Sequence, residues 1–402
     1  MDMERVKILF LTNWYPTRDN PVQGIFFKEQ AIALKEFCDF FVCHYRSVEG
    51  EQSRMVLCGE EENIHEYEVV LSASSTIGFL KRRILRTSYS WESELETKLI
   101  GLILKEFKHK IDVLYCVSAQ KEARFVAALA EKWGKPYIVA EHGPVPWPDS
   151  IISEANKRAI ERADLLLAIS YDKLRQIMMQ GIRIPEYVYV GNMVDDTHFQ
   201  YLPKKHEIKT FMIVAAHVFY KNYDMLIDIM NRLKNKTKVP FRLMIVGYNA
   251  NRTYSKDADV LERKIQKSSF AHCVEMIPFA DRSKIPELYN RADAFVMTSI
   301  QEGMPVSALE AGCCGLPIFS TRCGGVEDYV TERIGRIYGL FDSEEFSDGL
   351  CDYLEGRIEF DPEHIRRCIV NQFGKTAFVE NMRKAFVGVI EKRTEIKTGE
   401  DT

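Results

Sequence analysis

The sequence contains no Cys-x-x-Cys pair, although it carries ten cysteines: Cys38, Cys43, Cys58, Cys116, Cys273, Cys313, Cys314, Cys323, Cys351 and Cys368. That argues against a cysteine-ligated zinc site and against a tight disulfide framework. Neither candidate first turn carries Gly-x-Gly-x-x-Gly, so a dinucleotide oxidoreductase lacks its main fingerprint. Positive charge is not in surplus: Lys plus Arg is 54 against 58 Asp plus Glu, a formal net charge of −4. Nucleic-acid binders usually show a basic excess, so nucleic acid is not an expected partner. Long apolar runs are missing too. The first, within Val6–Leu11, is too short for a membrane span or the apolar core of a secretion signal. Together these absences lead us to expect a soluble chain in a reducing, cytoplasmic compartment.

What remains is an ordinary globular balance, 46% hydrophobic and 28% charged over 402 residues, enough chain for two domains. Short apolar runs alternate with helical patterns. Strands are expected at Val6–Leu11, Phe40–Cys43, Asp112–Val117, Tyr137–Ala140 and Leu165–Ile169, with helices after Phe26 and over Glu122–Lys132 and Tyr171–Met179. A polar stretch, Asp195–Lys209, reads as a linker. The alternation then restarts, with strands at Phe211–Ala215, Arg242–Val246, Val274–Ile277, Ala294–Thr298 and Ile318–Phe319. Helices are expected between them, at Asn222–Leu233, Asp257–Lys267, Lys284–Arg291 and Pro305–Cys314. Strands alternating with helices predict an α/β protein with parallel sheets wrapped on both faces. Two series predict two doubly wound, Rossmann-like domains whose strand C-termini open on a central cleft. The expected boundaries are 1–198, 199–372 and a C-terminal helix and frayed tail, 373–402, that could cross back to the first domain.

The segment Ser299-Ile300-Gln301-Glu302-Gly303-Met304-Pro305-Val306-Ser307-Ala308-Leu309-Glu310 joins a strand to a helix. Gly303 permits a tight turn or close ligand approach, and Pro305 suits a helix start. Free amides around Gly303, Met304, Val306 and Ser307, with the helix dipole, would make an anion site. Glu302 and Glu310 can both face a ligand spanning that turn. The surrounding run, "ELYNRADAFVMTSIQEGMPVSALEAGCCGLPIFSTRCGGVEDYV", closely resembles the C-terminal half of retaining GT-B glycosyltransferases of the family 4 type. "NWYPTRDNPVQGIFFKEQAIAL" resembles the first loop and helix of the branch that builds bacterial surface polysaccharides, including teichuronic acid-type enzymes. "ADLLLAISYDKL" and "VGNMVDDTHF" resemble that family's segments preceding the second domain.

The resemblance implies transfer of a sugar, with retention and without a metal or other cofactor, from a nucleotide-diphosphate sugar to a saccharide or polyprenyl-linked saccharide. It implies that Glu302 lies beside the transferred sugar and Glu310 bonds the ribose, with Gly303, Met304 and Val306 lining the donor site. The family's Gly-Arg-x4-Lys grip on the diphosphate survives only as Lys221. Ala215 and Ala216 stand where Gly and Arg are expected, so either Lys221 acts alone with the helix terminus or another arginine, such as Arg282 or Arg322, substitutes. In the first domain Gly24 resembles the glycine that admits the donor phosphate or acceptor, and His142 the cleft histidine. Trp147 could stack on an acceptor sugar.

Asp257-Ala258-Asp259 is a D-x-D without the strand-end context of a cation site. Asp195-Asp196 reads as solvated, and His217 as structural. Residues 77–91 read as a basic amphipathic helix: Ile77, Leu80, Ile84 and Trp91 share a stripe beside Lys81, Arg82, Arg83 and Arg86. Such a helix could rest on the anionic inner face of a membrane. Two alternatives stand: a non-catalytic, glycosyltransferase-like binding subunit, or else a GT-B sugar-nucleotide epimerase.

Overall fold

The computed structural model describes residues 5–18, 20, 23–49, 51–73, 89–143, 152–203, 206–249 and 255–400. The chain divides into two compact units: residues 1–169, 173–190 and 379–402 form one, and residues 170–172 and 191–378 the other. The units therefore exchange at 190/191, a few residues before the expected 198/199. Residues 379–400 of the C-terminal helix Lys375–Glu400 count with the first unit.

In the first unit the strands are β1 (Val6–Thr12), β2 (Cys38–Glu49), β3 (Arg54–Glu61), β4 (Ile64–Ala73), β5 (Val113–Cys116), β6 (Tyr137–Ala140), β7 (Leu165–Ala168) and β8 (Tyr187–Tyr189). They form one sheet in the order β3-β4-β2-β1-β5-β6-β7-β8. All neighbours are parallel except β3 and β4, an antiparallel hairpin turned at Asn63. The central strands β5, β6 and β7 are buried along their whole length, as strands covered on both faces must be. Helix Ala123–Trp133 buries Phe125, Val126, Leu129 and Trp133 against them and ends on Gly134 at φ 65°, the left-handed position that favours glycine.

In the second unit β9 (Lys209–Val214), β10 (Phe241–Val246), β11 (Val274–Ile277), β12 (Ala294–Met297), β13 (Ile318–Thr321) and β14 (Gly335–Tyr338) form a fully parallel sheet. Its order is β11-β10-β9-β12-β13-β14. The order reverses between β9 and β12, whose C-terminal ends therefore border a crevice. Helix Tyr223–Lys236 covers one face, burying Leu226, Ile229, Met230 and Leu233.

The polar stretch read as a linker is bound down. Phe199 is fully buried, and Arg366 donates to the carbonyl oxygens of Phe199 and Asp196 at 2.6 and 2.9 Å. Asp195 accepts from Thr197 and His198, and Asp196 from the Lys375 amide at 2.8 Å. These carboxylates are turn acceptors rather than solvated groups. Residues 74–88, with Arg82, Arg83 and Arg86, lie outside the described residues. No described helix is long and apolar enough to cross a membrane.

Candidate active site

At the crevice of the second unit three loops are laced together by their backbones. Ile300 N–H donates to the Tyr220 carbonyl at 2.7 Å, and Glu302 N–H to the Cys323 carbonyl at 2.6 Å. Thr298 Oγ1 donates to the Lys221 carbonyl at 3.0 Å. The loop after β9 turns at Asn222, at φ 52°, whose side chain caps helix Tyr223–Lys236. That turn carries Lys221 onto Glu302, Nζ to Oε1 at 2.5 Å, and Ser299 Oγ donates to the same oxygen at 2.7 Å. The side chains are only 18% and 11% exposed. Burial works against the Lys221 charge, but the Glu302 carboxylate overrides it and holds the ammonium's pKa above its ordinary value.

Behind Glu302 the chain passes Gly303 and Met304 into helix Val306–Cys313, with Pro305 at the cap position rather than inside. Among the described residues the amides of Gly303, Met304, Val306 and Ser307 donate no hydrogen bond. They sit where a helix start concentrates positive potential. Asn192 Nδ2 fixes this turn by donating to the Met304 carbonyl at 2.8 Å. Gly325, at φ 74°, backs it so closely that a Cβ would lie 2.3 Å from the Gly303 carbonyl oxygen.

Glu310 lies further along the same helix, 4% exposed at its side chain. Arg282 pairs with one of its carboxylate oxygens, and Tyr289 O–H donates to the other at 3.1 Å. Arg282 also packs over the Phe199 ring at 4.8 Å. Of the two arginines weighed as phosphate ligands, Arg282 thus sits on Glu310, while Arg322 is exposed. His217 packs edge-on against Tyr223 at 5.2 Å. Asp259 sits inside helix Ser255–Gln266. Ser299, Tyr289 and Asn192 escaped the sequence reading. All three lay within segments already singled out but carried no role there, and Tyr289 reads as one more apolar helix position.

Gly24 and His142 belong to the first unit. Gly24, at φ 64°, starts helix Ile25–Leu34, and a Cβ there would lie 2.6 Å from the Trp14 carbonyl oxygen. The fold itself therefore demands glycine. His142 is buried, with its ring edge-on to Phe27 at 4.9 Å and its backbone N–H on the Val117 carbonyl. Trp147 lies outside the described residues.

Residues 194–372 match the family described as "Glycosyl transferases group 1". A human phosphatidylinositol N-acetylglucosaminyltransferase component is 25% identical over 195 residues, covering 48% of this chain and 38% of that protein. The chain thus matches well under two thirds of that relative's length. The lipopolysaccharide 1,6-galactosyltransferase of Salmonella typhimurium is 22% identical over 289 residues, covering 70% of this chain and 74% of the relative. Among solved structures, the apo form of the lipopolysaccharide outer core galactosyltransferase WaaB superposes with TM-score 0.68 at 18% identity, over 95% of this chain and 99% of that one. Anabaena HepE in complex with UDP superposes with TM-score 0.70 at 15% identity, over 96% and 100%. These likenesses show the fold: two Rossmann-like α/β domains of the GT-B class.

Proposed function

We propose that the protein is a glycosyltransferase that moves a sugar from a nucleoside-diphosphate sugar to a saccharide or lipid-linked saccharide acceptor of a bacterial surface polysaccharide, retaining the anomeric configuration and requiring no metal. The observation that carries this reading is the Lys221–Glu302–Ser299 contact, set directly before a helix start with open amides. The second unit takes the donor. Glu310 receives the ribose, and the amides from Gly303 to Ser307 receive the diphosphate. Departure of the nucleotide builds charge on the β-phosphate, which Lys221 and the helix start stabilise as it grows. Glu302, tied to Lys221, orients the sugar instead of serving as a base. The acceptor hydroxyl attacks on the face the diphosphate leaves, and that phosphate takes the proton. Gly24 and His142, both in the first unit, serve the acceptor side.

The group 1 match over 194–372 and the two bacterial lipopolysaccharide galactosyltransferases support the reaction class. The UDP complex of a structure sharing the fold supports a nucleotide donor. A panel of nucleoside-diphosphate sugars, screened by ligand-induced thermal shift, followed by transfer assays with an NMR assignment of the product anomer, tests it. A retained anomer formed in EDTA is the expected result; an inverted anomer or dependence on manganese overturns those parts. Ala215 and Ala216, which take the place of a Gly-Arg grip, favour one rival: a binding protein that takes nucleotide but transfers nothing.

A further inference from the structure

The first unit buries two carboxylates that the reaction scheme does not use. Glu122, fully buried, precedes helix Ala123–Trp133, and Glu141, 2% exposed, follows β6. Glu122 Oε1 accepts from the Asn13 amide at 3.2 Å and from Tyr45 O–H at 3.3 Å. The Asn13 side-chain NH2 also donates to Glu122 Oε1 at 3.0 Å, and its oxygen accepts from Lys121 Nζ at 3.2 Å. Among the described residues Glu122 Oε2 has no hydrogen-bond partner. An ionised carboxylate so deeply buried would need donors on both oxygens. One bare oxygen, with no ion pair among the described residues, is the environment of a neutral acid. Glu141 is the opposite case. Its Oε2 accepts from the Gln120 amide at 3.0 Å and its Oε1 from the Gly143 amide at 2.6 Å. The buried Lys173 ammonium bonds the Gly143 carbonyl beside it. Two amide donors on two oxygens suit a carboxylate.

We propose that Glu122 and Glu141 are positioning residues with opposite protonation, Glu122 a carboxylic acid and Glu141 a carboxylate, which clamp the loops after β1, β5 and β6. This rests on the reading that Gly24 and His142 serve the acceptor side. Asn13 leads into Trp14, whose carbonyl abuts Gly24, and Glu141 directly precedes His142. Holding Asn13 and Gly143 therefore holds both candidates. Burial raises both carboxyls, Glu122 to about 8 and Glu141 to about 7, so the opposite protonation belongs to the pH range between those values, and below it both are acids. The two acids face each other, and the other groups facing them are Tyr45 from β2, Cys116 from β5, Lys121 beside Glu122, and Lys173 from helix Tyr171–Met179. The charge of Lys121 favours ionising both acids, and that of Lys173 adds to it at Glu141.

Glutamine distinguishes the two roles, because it mimics the acid but cannot accept on both sides. In the full chain at about pH 7.5, between the two values, amide hydrogen exchange is read at Asn13, Gln120 and Gly143. Glu122→Gln is expected to match wild type within about 2-fold, whereas Glu122→Ala speeds Asn13 at least about 10-fold. Glu141→Gln is expected to speed Gln120 or Gly143 at least about 10-fold. It should also lower acceptor kcat/KM by a similar factor while leaving nucleoside-diphosphate affinity unchanged. Equal exchange effects of Glu122→Gln and Glu141→Gln, or none from Glu141→Gln, overturn the assignment. Faster exchange with unchanged acceptor kinetics removes the positioning role but leaves the proposed function standing. A wild type that transfers no sugar overturns the proposed function, and exchange still decides the clamp.

Discussion

In the proposed reaction, two glutamates eight residues apart divide the donor site between them. Glu310 is nearly sealed, with Arg282 on one oxygen and Tyr289 on the other. A charge-assisted hydrogen bond contributes roughly 1.5–3 kcal/mol, so Glu310→Ala is expected to weaken nucleoside-diphosphate binding roughly 10- to 150-fold. Glu302 touches Lys221 and Ser299 instead. Glu302→Gln should leave that affinity within about 3-fold and cut turnover by roughly two orders of magnitude, since its role is expressed in the transition state. Calorimetry with the free diphosphate, beside initial rates, separates the two. Equal affinity losses would contradict this division. Lys221→Ala should depress turnover more than affinity for the same reason, with EDTA leaving the wild-type rate unchanged.

At the level of elements, Gly325 and Gly356 make a controlled comparison. Both sit at φ 74°, but a Cβ on Gly325 meets the Gly303 carbonyl at 2.3 Å, whereas on Gly356 it meets nothing within 4 Å. Gly356→Ala should cost only the left-handed penalty, roughly 1–2 kcal/mol, without touching nucleotide binding. Gly325→Ala should cost more in urea denaturation and weaken the nucleotide, because the Gly303 turn must move. Apart from the short edge strands β8 and β14, the parallel strands β1, β2, β5–β7 and β9–β13 and most of the helices between them were legible, because strands buried on both faces read as apolar runs and two-faced helices as stripes. The β3–β4 hairpin was not. Its outer strand is mostly exposed, with Val56 and Leu57 facing out, so no apolar alternation marks it. Only Asn63, turning at φ 62°, signals it. The Glu302–Glu310 spacing could be read from one segment. The Arg282–Glu310 pair could not, because two residues 28 apart meet only through the order of β11 and β12 in the sheet.

For the whole molecule, the C-terminal helix and the buried acids of the first unit make separate predictions. Met382, Ala385, Phe386 and Val389 are buried, Phe386 lies edge-on to Tyr115 at 5.6 Å, and Lys392 pairs with Glu186. Deleting residues 379–402 should therefore destabilise the first unit by several kcal/mol, at roughly 1.5–3 kcal/mol per large buried apolar side chain. Differential scanning calorimetry would show a first transition that drops while the second unit's stays. The pH dependence follows from Glu122 and Glu141, whose carboxyls lie at about 8 and about 7 in the folded chain against 4.5 for a freely hydrated glutamate. Between pH 4.5 and about 8 the folded chain holds protons that the unfolded chain has released. Stability must then fall as pH rises through that window, and level off above it. The two acids interact, so the fall belongs to the pair rather than to either residue. At about 1.4 kcal/mol per pKa unit, even a fraction of the separation amounts to more than about 2 kcal/mol. Urea denaturation at about pH 5.5 and about pH 8.5, either side of the folded values, should show that loss in the wild type. Glu122→Gln, which holds its hydrogen bonds at every pH, should shrink it. A slope unchanged by Glu122→Gln would mean that the acid is ionised in the folded chain and that its bare oxygen is hydrated.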